Sequence, residues 1–249
     1  METNFNWTVI QFVSLVFLMA GLTLLATRLA GRVDNEPAST TRRWTIGAMV
    51  MLVLWLGIPF VLAKQDLLND FSKTPPPFLK VMFAWAFLTV ILSTVSPWGK
   101  RIAKGLSFRA LFGFQAFRIL VEALLFLFHK AGIAPIQITV EGRNFDVVTG
   151  VLGLVVLIFI SGQQTSKITY AILNLIGLGL VLNVLTVGML SLPTSFQVFT
   201  GDNTWITRAP FIWLPTFIVP LAVSGHILSF RKLLMEREAN PLRKLAEAQ

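Results

Sequence analysis

The sequence has no cysteine, a single tyrosine and two histidines among its 249 residues. Lack of cysteine removes disulfides, thiolate zinc sites, iron–sulfur clusters and cysteine nucleophiles together. Charge is scarce too. Only 13% of residues are Asp, Glu, Lys or Arg, about half of the rough quarter found in soluble domains. Apolar residues fill the difference: 55% of the chain is hydrophobic, with 21 phenylalanines, and the mean hydropathy is +0.72. This balance excludes a water-soluble globular domain and implies an integral membrane protein. No GxSxG, HExxH, Walker A or GxGxxG pattern occurs. The last apolar segment has no core lysine for a retinal Schiff base, and His129 and His226 fall near opposite membrane faces, which argues against bis-histidine haem. Enzymatic activity is the lesser expectation, and the residues name no cofactor.

A helix needs about 20 apolar residues to cross a hydrocarbon layer of roughly 30 Å. Seven segments qualify: 8–27, 44–63, 80–98, 109–128, 145–162, 169–191 and 211–230. The expected fold is therefore an all-α, polytopic, seven-helix single domain with a short cytoplasmic tail, 231–249. In the fifth and shortest segment, Gly150 and Gly153 would let a neighbouring helix come close. Pro59 and Pro220 are expected to kink their helices and free carbonyls. Pro241 is expected to end the last helix.

Orientation follows from loop cations. Segments 28–43, 99–109, 163–168 and 231–249 hold fourteen Lys and Arg, against six in the alternate loops. That bias places the N-terminus outside and the C-terminus in the cytoplasm. It also explains the net charge of +9 by an anionic leaflet, with no nucleic-acid partner. The opening METNFNW lacks the cations of a cleaved signal peptide, so the first helix is expected to remain as an anchor. Residues 136–141 and 196–200 alternate apolar and polar, the period of short strands. Both lie outside in this topology, where they could pair as a two-stranded lid or instead pack on the headgroups.

Ionisable residues deep in a membrane cost about 2.5–3.5 kcal/mol each on insertion scales. The fourth segment has two, Arg118 and Glu122, with Arg118 roughly 13 Å deep. Gln115, Arg118, Glu122 and His129 share one helical stripe, so this polar seam should face the bundle interior. Arg118 and Glu122 could simply neutralise each other, helped by Asn174, Asn183, Ser93, Ser96 or Ser224. Alternatively they form a ligand site. Asp146 reads first as an acid at a helix N-terminus, and second as a further site residue.

Phe117–Glu122, Gly132–Pro135, Glu141–Asp146, Trp213-Leu214-Pro215, His226 and Arg231 together resemble a family of uncharacterised bacterial seven-span inner-membrane proteins. That resemblance implies a membrane location and no activity. The leading expectation is a non-enzymatic binder, sensor or carrier of a small amphiphile or anion, using Arg118, Glu122, Gln115, His129 and Asp146. A structural subunit is the rival, partnered by another membrane protein or a second copy. A membrane enzyme with Glu122 as general base stands third.

Overall fold

A computed structural model describes residues 2–33, 35–160 and 166–246. It is all-helical in its regular structure, with nine α-helices among those residues. They are α1 Glu2–Ala30, α2 Ala38–Lys64, α3 Pro77–Thr94, α4 Pro97–Gly105, α5 Phe108–Gly113, α6 Arg118–Lys130, α7 Val147–Phe159, α8 Lys167–Met189 and α9 Val219–Ala246. Six stretches are long and apolar enough to cross a membrane: Trp7–Ala30, Ala38–Lys64, Pro77–Thr94, Phe108–Lys130, Lys167–Met189 and Leu214–Arg237. The expected fifth helix is shorter than its apolar run. α7 has 13 residues, about 20 Å at 1.5 Å per residue, and the end of the run at 161–162 lies outside the described residues. The part of the 163–168 connection up to residue 165 lies there too.

Three further elements differ from the expected boundaries. The third segment stops at Thr94, because Ser96 caps a new helix: its Oγ accepts from the Gly99 amide at 2.9 Å, with Pro97 in the first helical position. The resulting α4 is short and amphipathic. The fourth segment is two helices joined by a 3-10 turn at Phe114–Phe117, immediately before Arg118. At the other end of the chain, α9 follows a π-helical turn at Leu214–Ile218 and runs on through Pro241 to Ala246. Proline removes one ladder bond and its ring bends a helix, and here the helix continues beyond it.

Prolines inside the bundle leave carbonyls that tryptophans occupy. An α-helix bonds each N–H to the carbonyl four residues back, so Pro59 leaves Trp55 O without that donor, and Pro220 does the same to Thr216 O. The Trp85 indole donates to Trp55 O at 3.1 Å, and the Trp55 indole donates to Thr216 O at 2.8 Å. The freed carbonyls thus tie α2, α3 and the start of α9 together. Likewise Pro97 leaves Ser93 O open, and Arg231 Nη1 donates to it and to Ser96 O, each at 3.0 Å.

Other cations close helix C-termini at this same end of the bundle, where exposed carbonyls and the helix dipole favour positive charge. Arg101 donates to Thr27 O of α1, Arg109 Nε to Leu157 O of α7 at 3.0 Å, and Lys232 to Ala103 O of α4 at 3.2 Å. At the opposite end, Phe12, Phe128, Trp205 and Phe211 pack ring to ring with centroids 5.1–6.0 Å apart. They fix α1, α6 and the 190–213 connection around one core.

The expected two-stranded lid does not form, and no strand occurs among the described residues. Residues Ile136–Ile138 make a 3-10 turn, and the amides of Val198 and Phe199 both donate to Leu190 O, at 2.8 and 3.0 Å. The two loops meet through side chains: Gln137 Nε2 donates to Ser191 Oγ and Gly201 O, each at 3.1 Å, and the Arg143 guanidinium lies 5.1 Å from the Phe199 ring centroid. Six alternating residues fit a turn as well as a strand once Gln137 and Thr139 are buried with Ile138.

Candidate functional site

Glycines bring four elements close enough to enclose polar groups. On α7, Gly150 lies against Ile119 and Arg118, and Gly153 against Gln115 and Ala116, the close approach expected of this pair. On α8, Gly177 abuts His226 and Thr149; on α9, Gly225 abuts Gln115. A Cβ at any of the four would come within 3.0 Å of a neighbouring atom.

Arg118 is the largest side chain in this interior and is 1% exposed. Its carboxylate partner is Asp146 rather than the expected Glu122: Nη1 donates to Asp146 Oδ1 at 2.6 Å and to Gly177 O at 3.3 Å. Asp146 consequently makes no side-chain cap for α7. Glu122 instead accepts from Asn144 Nδ2 through Oε1, and Asn144 Oδ1 accepts from the Asp146 amide at 3.0 Å. A hydrogen-bonded chain therefore runs Glu122–Asn144–Asp146–Arg118 and ties α6 to the loop before α7. Three ionisable groups lie buried within it, one cationic and two acidic.

That chain leaves polar atoms over. Arg118 Nε and Nη2, Glu122 Oε2, Gln115 Oε1, Thr149 Oγ1, Tyr170 Oη and His226 Nε2 are buried without a hydrogen-bond partner. Native proteins satisfy nearly all such groups, so each orphan calls for a water, an ion or a ligand. Arg118 and Glu122 border a cavity of about 80 Å³, together with Asn144 and Asp146; its other walls are chiefly apolar and include Phe78, Leu125 and Val181. At roughly 10–15 Å³ for each water centre, it holds a handful of waters or one compact group. It lies beneath the 131–146 and 190–213 loops, whose Ile138, Leu192 and Asn203 line it.

The other expected site residues divide. Gln115 is fully buried beside the cluster, its Nε2 donating to Ala222 O at 3.1 Å. His129 stays apart, half-buried at the end of α6 with Nδ1 3.0 Å from Ala134 O. Ser93 and Ser224 pair with each other at 2.8 Å, and Asn183 donates to Arg143 O at 2.7 Å.

His226 was missed as an interior residue, because ending the last apolar span at 230 put it within about a turn of a membrane face. The membrane-length stretch instead runs Leu214–Arg237, and His226 within it is fully buried. Its Nδ1 lies 3.0 Å from Asn174 Oδ1, while Asn174 Nδ2 donates to Tyr170 O at 2.7 Å. That arrangement assigns the imidazole proton to Nδ1 and leaves a bare lone pair on Nε2. Gly177, against which the His226 ring packs, was the available signal. Among the described residues, no three His, Asp or Glu side chains are grouped to hold a metal ion.

A bundle of six membrane-length apolar helices around a buried polar core defines a polytopic α-helical membrane protein. Within that class, residues 76–234 match the family described as Domain of unknown function (DUF8737), and the chain belongs to it. The match takes in α3 to α9 up to Leu234, and with them the whole polar cluster. No curated protein and no solved structure shows significant similarity to the chain.

Proposed function

We propose that this membrane protein binds a small molecule with an anionic group and an apolar body, and carries or senses it. The supporting observation is that Arg118 lines a largely apolar cavity while its Nε and Nη2 are buried without a hydrogen-bond partner. The Nε–Nη2 edge is the fork with which a guanidinium grips an oxyanion bidentately. Glu122 Oε2 would orient the ligand by accepting or, when protonated, donating. Asp146 and Asn144 hold Arg118 and Glu122 in place. The ligand would arrive beneath the 131–146 and 190–213 loops.

With α7 taken as a seventh crossing, the loop cations favour an N-terminus outside and a C-terminus in the cytoplasm, and the resemblance to bacterial inner-membrane proteins favours that membrane. α7 makes the short crossing, shielded from lipid on one side by α5 and α6. A structural reading draws on the Glu122–Asn144–Asp146–Arg118 chain, which would lock helix packing in a subunit docking another membrane protein or a second copy.

Native mass spectrometry of the gently purified full chain, with an absorbance spectrum, separates these readings. The wild type should carry an extra mass that Arg118→Ala and Arg118→Lys both lose. Lysine keeps a charge beside Asp146 without the fork, so Arg118→Lys guards against loss of fold. A bare wild type, or a mass unaffected by either variant, would overturn the proposal.

A further inference from the structure

A second concavity lies on the other side of the bundle, far from Arg118 in sequence and lined by different residues. Between α2 and the pair α3–α9 runs a groove of about 300 Å³, almost wholly apolar in its walls. Indole hydrogen bonds close it at one end, where Trp55 and Trp85 join α2 to α3 and to Thr216. Toward the other end Gly47 and Ala48 of α2 line it. A Cβ at Gly47 would meet nothing within 4 Å. Trp44 and Trp98 line that same end, and indoles favour the level of lipid headgroups.

This end of the groove is also where the cations gather. Arg101 packs on Trp44, its guanidinium carbon 5.7 Å from the ring, and pairs with Glu36 at 2.8 Å. Glu36 in turn lines a polar basin with Arg28, Arg32 and Arg42, at the turn between α1 and α2. None of these three arginines is in an ion pair among the described residues. Arg101 thus links Trp44 of the apolar groove to Glu36 of the arginine-lined basin.

We propose that this edge of the bundle is a site for an anionic phospholipid. One acyl chain lies in the groove between α2 and α3–α9, and the phosphate lies against Arg28, Arg32 and Arg42. Each cation near a membrane surface adds to the attraction for anionic lipid, and the groove converts that general attraction into a defined seat.

Native mass spectrometry of the full chain, after equilibration in mixed micelles of phosphatidylglycerol and phosphatidylcholine, tests both halves. The wild type should retain phosphatidylglycerol at least several-fold over phosphatidylcholine. Gly47→Leu, which grows into open space, should lose the retained lipid while its melting temperature in detergent alone is unchanged. Arg28→Gln/Arg32→Gln/Arg42→Gln, all at exposed positions, should lose the preference for phosphatidylglycerol. Retention by Gly47→Leu equal to that of the wild type would remove the chain from the groove. A preference surviving in the triple variant would remove the headgroup from the basin. Either result would overturn the site.

Discussion

Replacing Trp55 by phenylalanine should expose how the bundle tolerates its prolines. The indole N–H occupies Thr216 O at 2.8 Å, and Pro220 offers no N–H to that carbonyl. A buried carbonyl without a partner costs about 1–3 kcal/mol, while hydrogen bonds between membrane helices average about 0.6 and reach about 1.7 kcal/mol. Trp55→Phe should therefore lose about 1–2 kcal/mol through this bond, plus whatever the smaller ring loses against Trp85, 5.8 Å away. Pro220→Ala restores a backbone N–H for Thr216 O, so Trp55→Phe should cost about 1 kcal/mol less in that background. The packing loss and the change in helix propensity cancel in the double-mutant cycle. Reversible unfolding of the four proteins in mixed detergent–dodecyl sulfate micelles gives the coupling. A coupling inside the roughly 0.3–0.5 kcal/mol expected of independent sites would refute the account of this carbonyl.

Three further outcomes follow from the interior and the loops. Asp146→Ala strands the buried Arg118 guanidinium and should destabilise by about 3–5 kcal/mol, whereas Arg118→Met with Asp146→Leu should recover most of that; the same micelle unfolding measures both. On α8, Gly177→Ala drives a Cβ to 2.5 Å from His226 and should cost about 1–3 kcal/mol. Gly179→Ala, whose Cβ meets nothing within 4 Å, should be neutral or stabilising by comparison. In the loop after α2, hydrogen bonds from Ser72 and the nearby Lys73 lower the Asp70 pKa from 3.8 to about 2. A depressed folded pKa means the turn is favoured above pH 4 and loses that support as pH falls toward 2. Carboxyl NMR should give a midpoint near 2 that rises in Ser72→Ala, and an ordinary midpoint in the wild type would contradict the turn.

Hydropathy located six spans, with ends displaced by up to seven residues, because continuous apolar runs fix the middle of a span better than its ends. The departures have separable causes. The run at 145–162 takes in Phe145, Asp146 and Ile160 beyond the ends of α7, and its last two residues lie outside the described ones. Ser96-Pro97 is a helix-start signal that a hydropathy run through residue 98 conceals. Glu122 was the natural partner for Arg118 because periodicity sees only near neighbours. Asp146 comes back to Arg118 through a turn at the head of α6 and a loop held by Asn144, which no helical stripe encodes. His226 became an interior residue once the last apolar span proved to run past 230, to Arg237. The polar seam of Gln115, Arg118 and Glu122 does face the interior, because Gly150, Gly153 and Gly225 remove the side chains that would keep the neighbouring helices away.

The central claim is that the free edge of Arg118 holds an anionic group in the cavity beneath the 131–146 and 190–213 loops. An electron cryomicroscopy map of the protein purified without delipidation, at a resolution that shows side chains, tests it directly. The account predicts non-protein density within hydrogen-bonding distance of Arg118 Nε and Nη2, extending between the apolar walls near Phe78 and Leu125. Guanidinium and Glu122 carboxylate in direct contact, with the cavity closed around them, would contradict it.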